Sequence, residues 1–153
     1  MIANIRKLLL MLGLLLCAVL LSACGKGVGI SDEPPGAVSD IPGEVPERYR
    51  ALENPLVGDL EALERGNKAY TALCSQCHGV RGEGDGPEAT GIDPGPGDLR
   101  RAGERGISDG YLYWRIADGG TFEPFNSLMP AWGGLLSDTE IWELVSFLRE
   151  LNK

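Results

Sequence analysis

The pentapeptide Cys74-Ser-Gln-Cys77-His78 restricts this chain more than any other part of it. Two thiols at this spacing can add across the two vinyl groups of one haem, and a histidine directly after the second thiol then lies under the iron as its proximal ligand. Other uses of the motif run short of residues. His78 is the only histidine among the 153 residues, so neither a bis-histidine haem nor a Cys2His2 zinc finger can be assembled. A structural zinc would need two further Cys or His ligands, and the remaining cysteines, Cys17 and Cys24, lie in an N-terminal segment with a different character. A redox-active dithiol would be expected beside a βαβ pattern, and none is visible. One haem c is therefore the expected cofactor.

Arg6 and Lys7 precede fourteen residues, Leu8 to Leu21, that are apolar apart from Gly13. That length suits the h-region of a signal peptide and falls short of the ~20 residues that span a bilayer as a helix. It runs into Leu21-Ser22-Ala23-Cys24, which resembles a bacterial lipobox. Residues 1–23 are read as a lipoprotein signal peptide and Cys24 as the lipidated first residue of the mature protein. The alternative is an ordinary secretory signal with a stray cysteine, or an uncleaved anchor. Each route places the mature domain outside the cytoplasm, where haem c is attached in bacteria. Gly25 rather than Asp follows Cys24, which favours outer-membrane sorting in a host with two membranes. Cys17 then leaves with the signal, Cys24 carries lipid, and Cys74 and Cys77 carry haem, so no disulfide is available.

Loss of residues 1–23 removes Arg6 and Lys7 and no acid, leaving 12 basic and 22 acidic side chains and a net charge of −10. Nucleic acid is excluded as an expected partner, because phosphate binding needs basic patches. Charge of this sign steers encounters with basic protein surfaces, although solubility alone accounts for it equally well. Residues 25–57 hold five Gly and five Pro among scattered acids and too few periodic apolar positions to bury a face. Residues 24–57 are accordingly read as the lipidated N-terminus and a flexible tether, leaving 58–153 as one folded domain.

Gly58-Asp59 opens a helical pattern in which Leu63, Gly66, Tyr70 and Leu73 share a face leading into Cys74. A second helix is expected from Ser108 to about Ala117, ended by Gly119-Gly120. A third carries its own start signals: Ser137 and Glu140 as a capping box, and Leu136 and Ile141 as a hydrophobic staple. Its apolar stripe is Ile141, Leu144, Val145, Leu148 and Leu151. Glu61, Glu64, Glu143 and Glu150 read as exposed positions. Between the first two helices, residues 79–106 contain nine Gly and no period. Such a loop ordinarily argues against a compact domain, unless a haem supplies the apolar centre it wraps.

These features together resemble a class I, mitochondrial-type monohaem cytochrome c in a bacterial lipoprotein form. Gly66 and Tyr70, eight and four residues before Cys74, match that family's N-terminal helix, where a glycine permits close crossing with the C-terminal helix. The aromatic partner there would be Phe147 or Trp142. Cys77-His78-Gly79 and then Gly82-Glu83-Gly84-Asp85-Gly86-Pro87 are similar to the glycine-rich stretch of many bacterial members. Pro94-Gly95-Pro96-Gly97-Asp98-Leu99 is similar to their proline-rich loop, in which a proline carbonyl, of Pro94 or Pro96 here, accepts the Nδ1 proton of the proximal histidine. Tyr113-Trp114-Arg115-Ile116 with Gly119-Gly120 fits the helix before the distal loop, and Leu128-Met129-Pro130-Ala131-Trp132 the loop delivering an axial methionine. The resemblance implies an all-α cytochrome c fold, with three main helices and loops wrapped around one covalently bound haem.

Met129 is also singled out by elimination. Met1 and Met11 leave with the signal peptide, so the mature chain has one thioether beside its one imidazole. Met129 lies 51 residues after His78, and Pro130 holds it toward an extended conformation. His78 and Met129 are thus the expected axial ligands, and a saturated iron leaves no place for a small-molecule substrate. Trp132 is expected to pack against the haem. Trp114 and Trp142 read as core and haem packing rather than an electron-hopping chain. Arg100, with Arg101 and Arg105, either contacts haem propionates or forms a solvated cluster. The function implied is a membrane-anchored carrier of single electrons between respiratory or photosynthetic complexes, or a haem subunit of one, with redox-protein donor and acceptor. The rival is a haem catalyst or gas or redox sensor with a labile or absent sixth ligand.

Overall fold

A computed structural model describes residues 43–100, 102 and 105–151; the expected signal peptide, Cys24 and the first part of the tether lie outside the described residues. The described residues form five helices and no strand: α1 (Glu47–Arg50), α2 (Leu60–Leu73), α3 (Ser75–His78), α4 (Asp109–Asp118) and α5 (Asp138–Glu150). None is long and apolar enough to cross a membrane. The three longer helices are those expected.

Each long helix starts where a short polar side chain satisfies its free N–H groups. Asp59 accepts from the backbone of Glu61 and Ala62, Ser108 from Tyr111. Ser137 and Glu140 close the capping box reciprocally. α4 ends at Gly119, whose φ of +73° belongs to the left-handed region that favours glycine.

The core forms where α2 crosses α5. Ala62, Gly66 and Tyr70 are the buried positions of α2; they meet Ile141, Leu144, Val145 and Leu148 of α5. The expected face differs in two members: Leu63 is half-buried and Leu73 is exposed. The buried set is spaced by four and forms one ridge, and its small members draw α5 so close that the two leucines fall to its flanks. At Gly66 a Cβ would overlap the Glu143 carbonyl oxygen and stand 3.1 Å from Phe147 Cβ. The aromatic partner at the crossing is Phe147, whose ring centroid lies 5.0 Å from that of Tyr70; Trp142 instead packs on Tyr113 of α4, at 4.5 Å. Glu143, expected to be exposed, is buried under α2, with Arg65 Nε of that helix donating to its carboxylate at 2.6 Å.

The boundary expected at residue 58 is corrected by the packing of residues 43–57. Tyr49 lays its ring 5.8 Å from Tyr113 and donates its hydroxyl to Asp118 at 2.8 Å, where Arg48 also ion-pairs. Gly110 is needed on α4 because a Cβ there would overlap the Tyr49 carbonyl oxygen. Asn54 is buried, its amide donating to Ser146 Oγ and its backbone N–H to the Asp109 carboxylate. This stretch docks through single side chains with individual partners, which leave no periodic stripe for sequence to display. The described part of the expected tether is thus a strap lying over α4 and α5.

Candidate functional site

Cys74 joins α2 to α3, and its carbonyl accepts from the N–H groups of Cys77 and His78. One helical turn therefore sets Cys74, Cys77 and His78 at i, i+3 and i+4, on one side of the chain. Both thiols are free and half-buried. Burial, reinforced by the neighbouring Cys77, pushes the Cys74 thiol up to about 11. That is the opposite of the lowered thiol pKa a redox-active CxxC requires. Among the described residues no cluster of three His, Cys, Asp or Glu side chains could hold a separate metal ion.

The glycine-rich loop closes over this turn. Gly84, Gly86 and Glu88 donate backbone N–H groups to the carbonyls of His78, Cys77 and Gln76 in succession. Gly86 allows the approach, since a Cβ on it would overlap the Gln76 carbonyl. From below, the buried Tyr70 hydroxyl donates to the Gly79 carbonyl at 2.7 Å, tying α2 to the residue after His78.

His78 Nδ1 faces the Gly97 carbonyl at 3.3 Å. A carbonyl can only accept, so Nδ1 carries the proton and Nε2 keeps the free lone pair that a metal could take. Burial lowers the imidazole's pKa, against the opposing pull of that hydrogen bond, which favours the neutral ring a metal needs. Neither Pro94 nor Pro96 fills the expected role. The Pro96 carbonyl is turned against Gly84, where a Cβ would overlap it, and the next one, of Gly97, faces the histidine. Arg100, offered for a propionate or a solvated cluster, is drawn into ion pairs of the protein's own. Its guanidinium is engaged by Asp98 at 2.8 Å and Glu83 at 2.6 Å, ion pairs that fasten the proline-rich loop to the glycine-rich one.

On the other side, Gly119-Gly120 receives the loop carrying Met129. Gly120 N–H bonds the Met129 carbonyl at 2.9 Å, Trp132 N–H the Ile116 carbonyl at 3.0 Å and Gly133 N–H the Ala117 carbonyl at 2.9 Å. A Cβ at Gly119 would strike the Met129–Ala131 backbone. Met129 and Trp132 are half-buried against the same apolar cluster as Cys74 and Leu99. Two free thiols, an oriented imidazole and one thioether around a shared apolar cluster fit the demands of a haem c. Gly97 and the Tyr70 hydroxyl escaped sequence reasoning. The alternation of Pro and Gly in 94–97 signalled a carbonyl-presenting loop without saying which carbonyl it presents.

Residues 61–148 match the protein family described as cytochrome c oxidase, cbb3-type, subunit III. Similar solved structures include a chain of the reducing HAO-like protein complex of Kuenenia stuttgartiensis, with 28% identity and a TM-score of 0.49, covering 74% of this chain and 48% of that one. Another is cytochrome cL from the marine methylotroph Methylophaga aminisulfidivorans, with 24% identity and a TM-score of 0.48, covering 74% of this chain and 69% of that one. The chain thus spans about half the length of the Kuenenia protein. No curated protein sequence matches it.

Proposed function

The chain belongs to the cytochrome c family described as cbb3-type cytochrome c oxidase subunit III, and on that premise we propose that it carries single electrons between membrane redox complexes while anchored by lipid. It is a monohaem electron-transfer protein with an all-α cytochrome c fold and a covalently bound haem c. When bound, that group supplies reversible one-electron exchange at its iron, and a thioether ligand favours the reduced form. Cys74 and Cys77 would hold it covalently, His78 Nε2 and the Met129 sulfur would ligate its iron, and Trp132 would pack beside it. Gly97 keeps the proton on His78 Nδ1 and the ring turned. The hydrogen bonds from Gly120, Trp132 and Gly133 hold the Met129 loop to α4, so that the thioether does not swing away. With the sole imidazole used in this way, no histidine remains to act as a distal acid–base residue. Cys24 would carry the lipid, placing the domain on the extracytoplasmic side of a bacterial membrane, between a donor such as a quinol-oxidising complex and an acceptor such as an oxidase, reductase or reaction centre.

The observation that carries this reading is the helical turn with two free thiols and an imidazole whose Nδ1 is already committed to a backbone carbonyl. The test is spectroscopic. The haem should survive acid-acetone extraction, the ferric protein should show a sulfur-to-iron charge-transfer band, and the ferrous protein should resist CO. Met129→Ala should abolish the band, admit CO and lower the midpoint potential. Ready CO binding by the wild type, or peroxide turnover well above that of free haem, would replace the carrier with the catalyst or sensor.

A further inference from the structure

Arg115 is half-buried on α4, four residues before the Gly119 turn. Its Nη1 donates to the Gly119 carbonyl at 2.5 Å. Its Cζ stands 3.4 Å from the Phe125 ring centroid, with the Trp114 and Phe122 rings at 5.8 and 6.0 Å. None of these partners carries a negative charge. Among the described residues every other lysine and arginine except the exposed Arg105 forms an ion pair with a carboxylate. The chain has a surplus of acids, yet this half-buried cation forms no ion pair with a carboxylate among the described residues. Burying a guanidinium without an anion is costly, and burial pulls its pKa below the ordinary value, with Tyr111 the only titratable side chain acting on it.

The position of this cation is informative. The Gly119-Gly120 turn it braces is the one that bonds the Met129 carbonyl through Gly120 N–H. It therefore lies beside the loop that carries Met129, the residue proposed above as the distal ligand. A haem c brings two carboxylates of its own, the propionates, and Arg100, the earlier candidate for them, is engaged by Asp98 and Glu83. We propose that Arg115 pairs with a haem propionate, so that one guanidinium joins the edge of the cofactor to the turn that holds Met129. This rests on the haem reading above. A planar fork donating to a carboxylate on one side and to Gly119 on the other uses the geometry particular to arginine.

Resonance Raman spectra of the ferric holoprotein read the propionate bending mode directly, and a purely structural role for Arg115 would not move it. Arg115→Gln should shift that mode to lower frequency and lower the midpoint potential while leaving the sulfur charge-transfer band in place. Arg115→Lys keeps the charge without the fork and should restore part of the potential but less of the mode. An unshifted mode in Arg115→Gln overturns the pairing. Should Arg115→Gln yield no holoprotein, the wild type decides alone. A propionate beside a guanidinium stays ionised below the ordinary carboxylate range, below roughly pH 4, so at least one bending mode should not titrate until then. Both modes titrating at or above that pH overturns the pairing. Extractable haem in the wild type would defeat the site reading itself, whereas covalent haem with an unshifted mode defeats only the role of Arg115.

Discussion

Replacing Gly66 by alanine adds one methyl group where α2 has none to spare. The new Cβ would overlap the Glu143 carbonyl oxygen and carbon of α5 and press on Phe147 Cβ at 3.1 Å. The obstacle is helix backbone flanked by the fully buried Leu144 and Val145, so relief requires the two helices to part. Overpacking of this kind costs about 1–3 kcal/mol, with the upper half expected when backbone is struck. Alanine returns about 0.5–1 kcal/mol through its better helix propensity, leaving a net loss of roughly 1–2.5 kcal/mol. For a domain of this size that lowers Tm by roughly 5–15 °C. Gly66→Leu, which cannot fit without displacing Phe147, should cost at least ~3 kcal/mol. Thermal unfolding of the holoprotein by far-UV circular dichroism measures both, with Gly134→Ala as control because nothing lies within 4 Å of a Cβ there. An unchanged or raised Tm in Gly66→Ala would refute the view that this glycine sets the helix separation.

The Asp98 carboxyl is held down to about 2, chiefly by its hydrogen bond to Arg100. A folded-state pKa below the ordinary 3.8 stabilises above that value and is lost as pH falls through about 2. Arg100→Gln should therefore raise the pH midpoint of acid unfolding, and an unmoved midpoint would show the pairing to be idle. Metabolic labelling with a fatty acid should mark the wild type and not Cys24→Ser; a mature N-terminus elsewhere than Cys24 would contradict the anchor. Trypsin should cleave the native protein slowly after Arg48 and Arg50, although their side chains are 64% and 53% exposed, and Tyr49→Ala should speed it. Rapid cleavage of the native wild type at those sites would restore the flexible tether.

Where residues repeat with helical period or carry a fixed local partner, the fold was legible in the sequence. The capping box Ser137–Glu140, the apolar stripe of α5 and the Gly119 end of α4 are local signals, and each lies where expected. The residues proposed for the site were legible for a related reason, since CSQCH is chemistry compressed into five neighbours. The failures are all of long range. Nothing around Asn54 announces that its amide will reach Ser146, ninety-two residues away, and a Gly- and Pro-rich composition hid the strap. Nothing near Glu143 foretells Arg65 across the crossing. The partner of His78 was missed by one residue, because composition identifies a loop and only its path decides which carbonyl turns inward.

α4 is the element on which these long-range contacts converge. Its N-terminal turn is held by Asp109, which accepts from the Asn54 backbone and from Arg149 of α5. Its middle presents Tyr113 between Tyr49 of the strap and Trp142 of α5. Its last turn offers the Ile116 and Ala117 carbonyls and Gly119 to the Met129 loop. A ten-residue helix has little stability of its own, so α4 is rigid only because strap, α5 and Met129 loop load it from different sides. Loosening the strap should therefore be felt at Met129, although no contact between the two is needed. It follows that residues 43–57 belong to the folded domain, and that a chain cut off at residue 58 would hold its Met129 loop less firmly than the full chain.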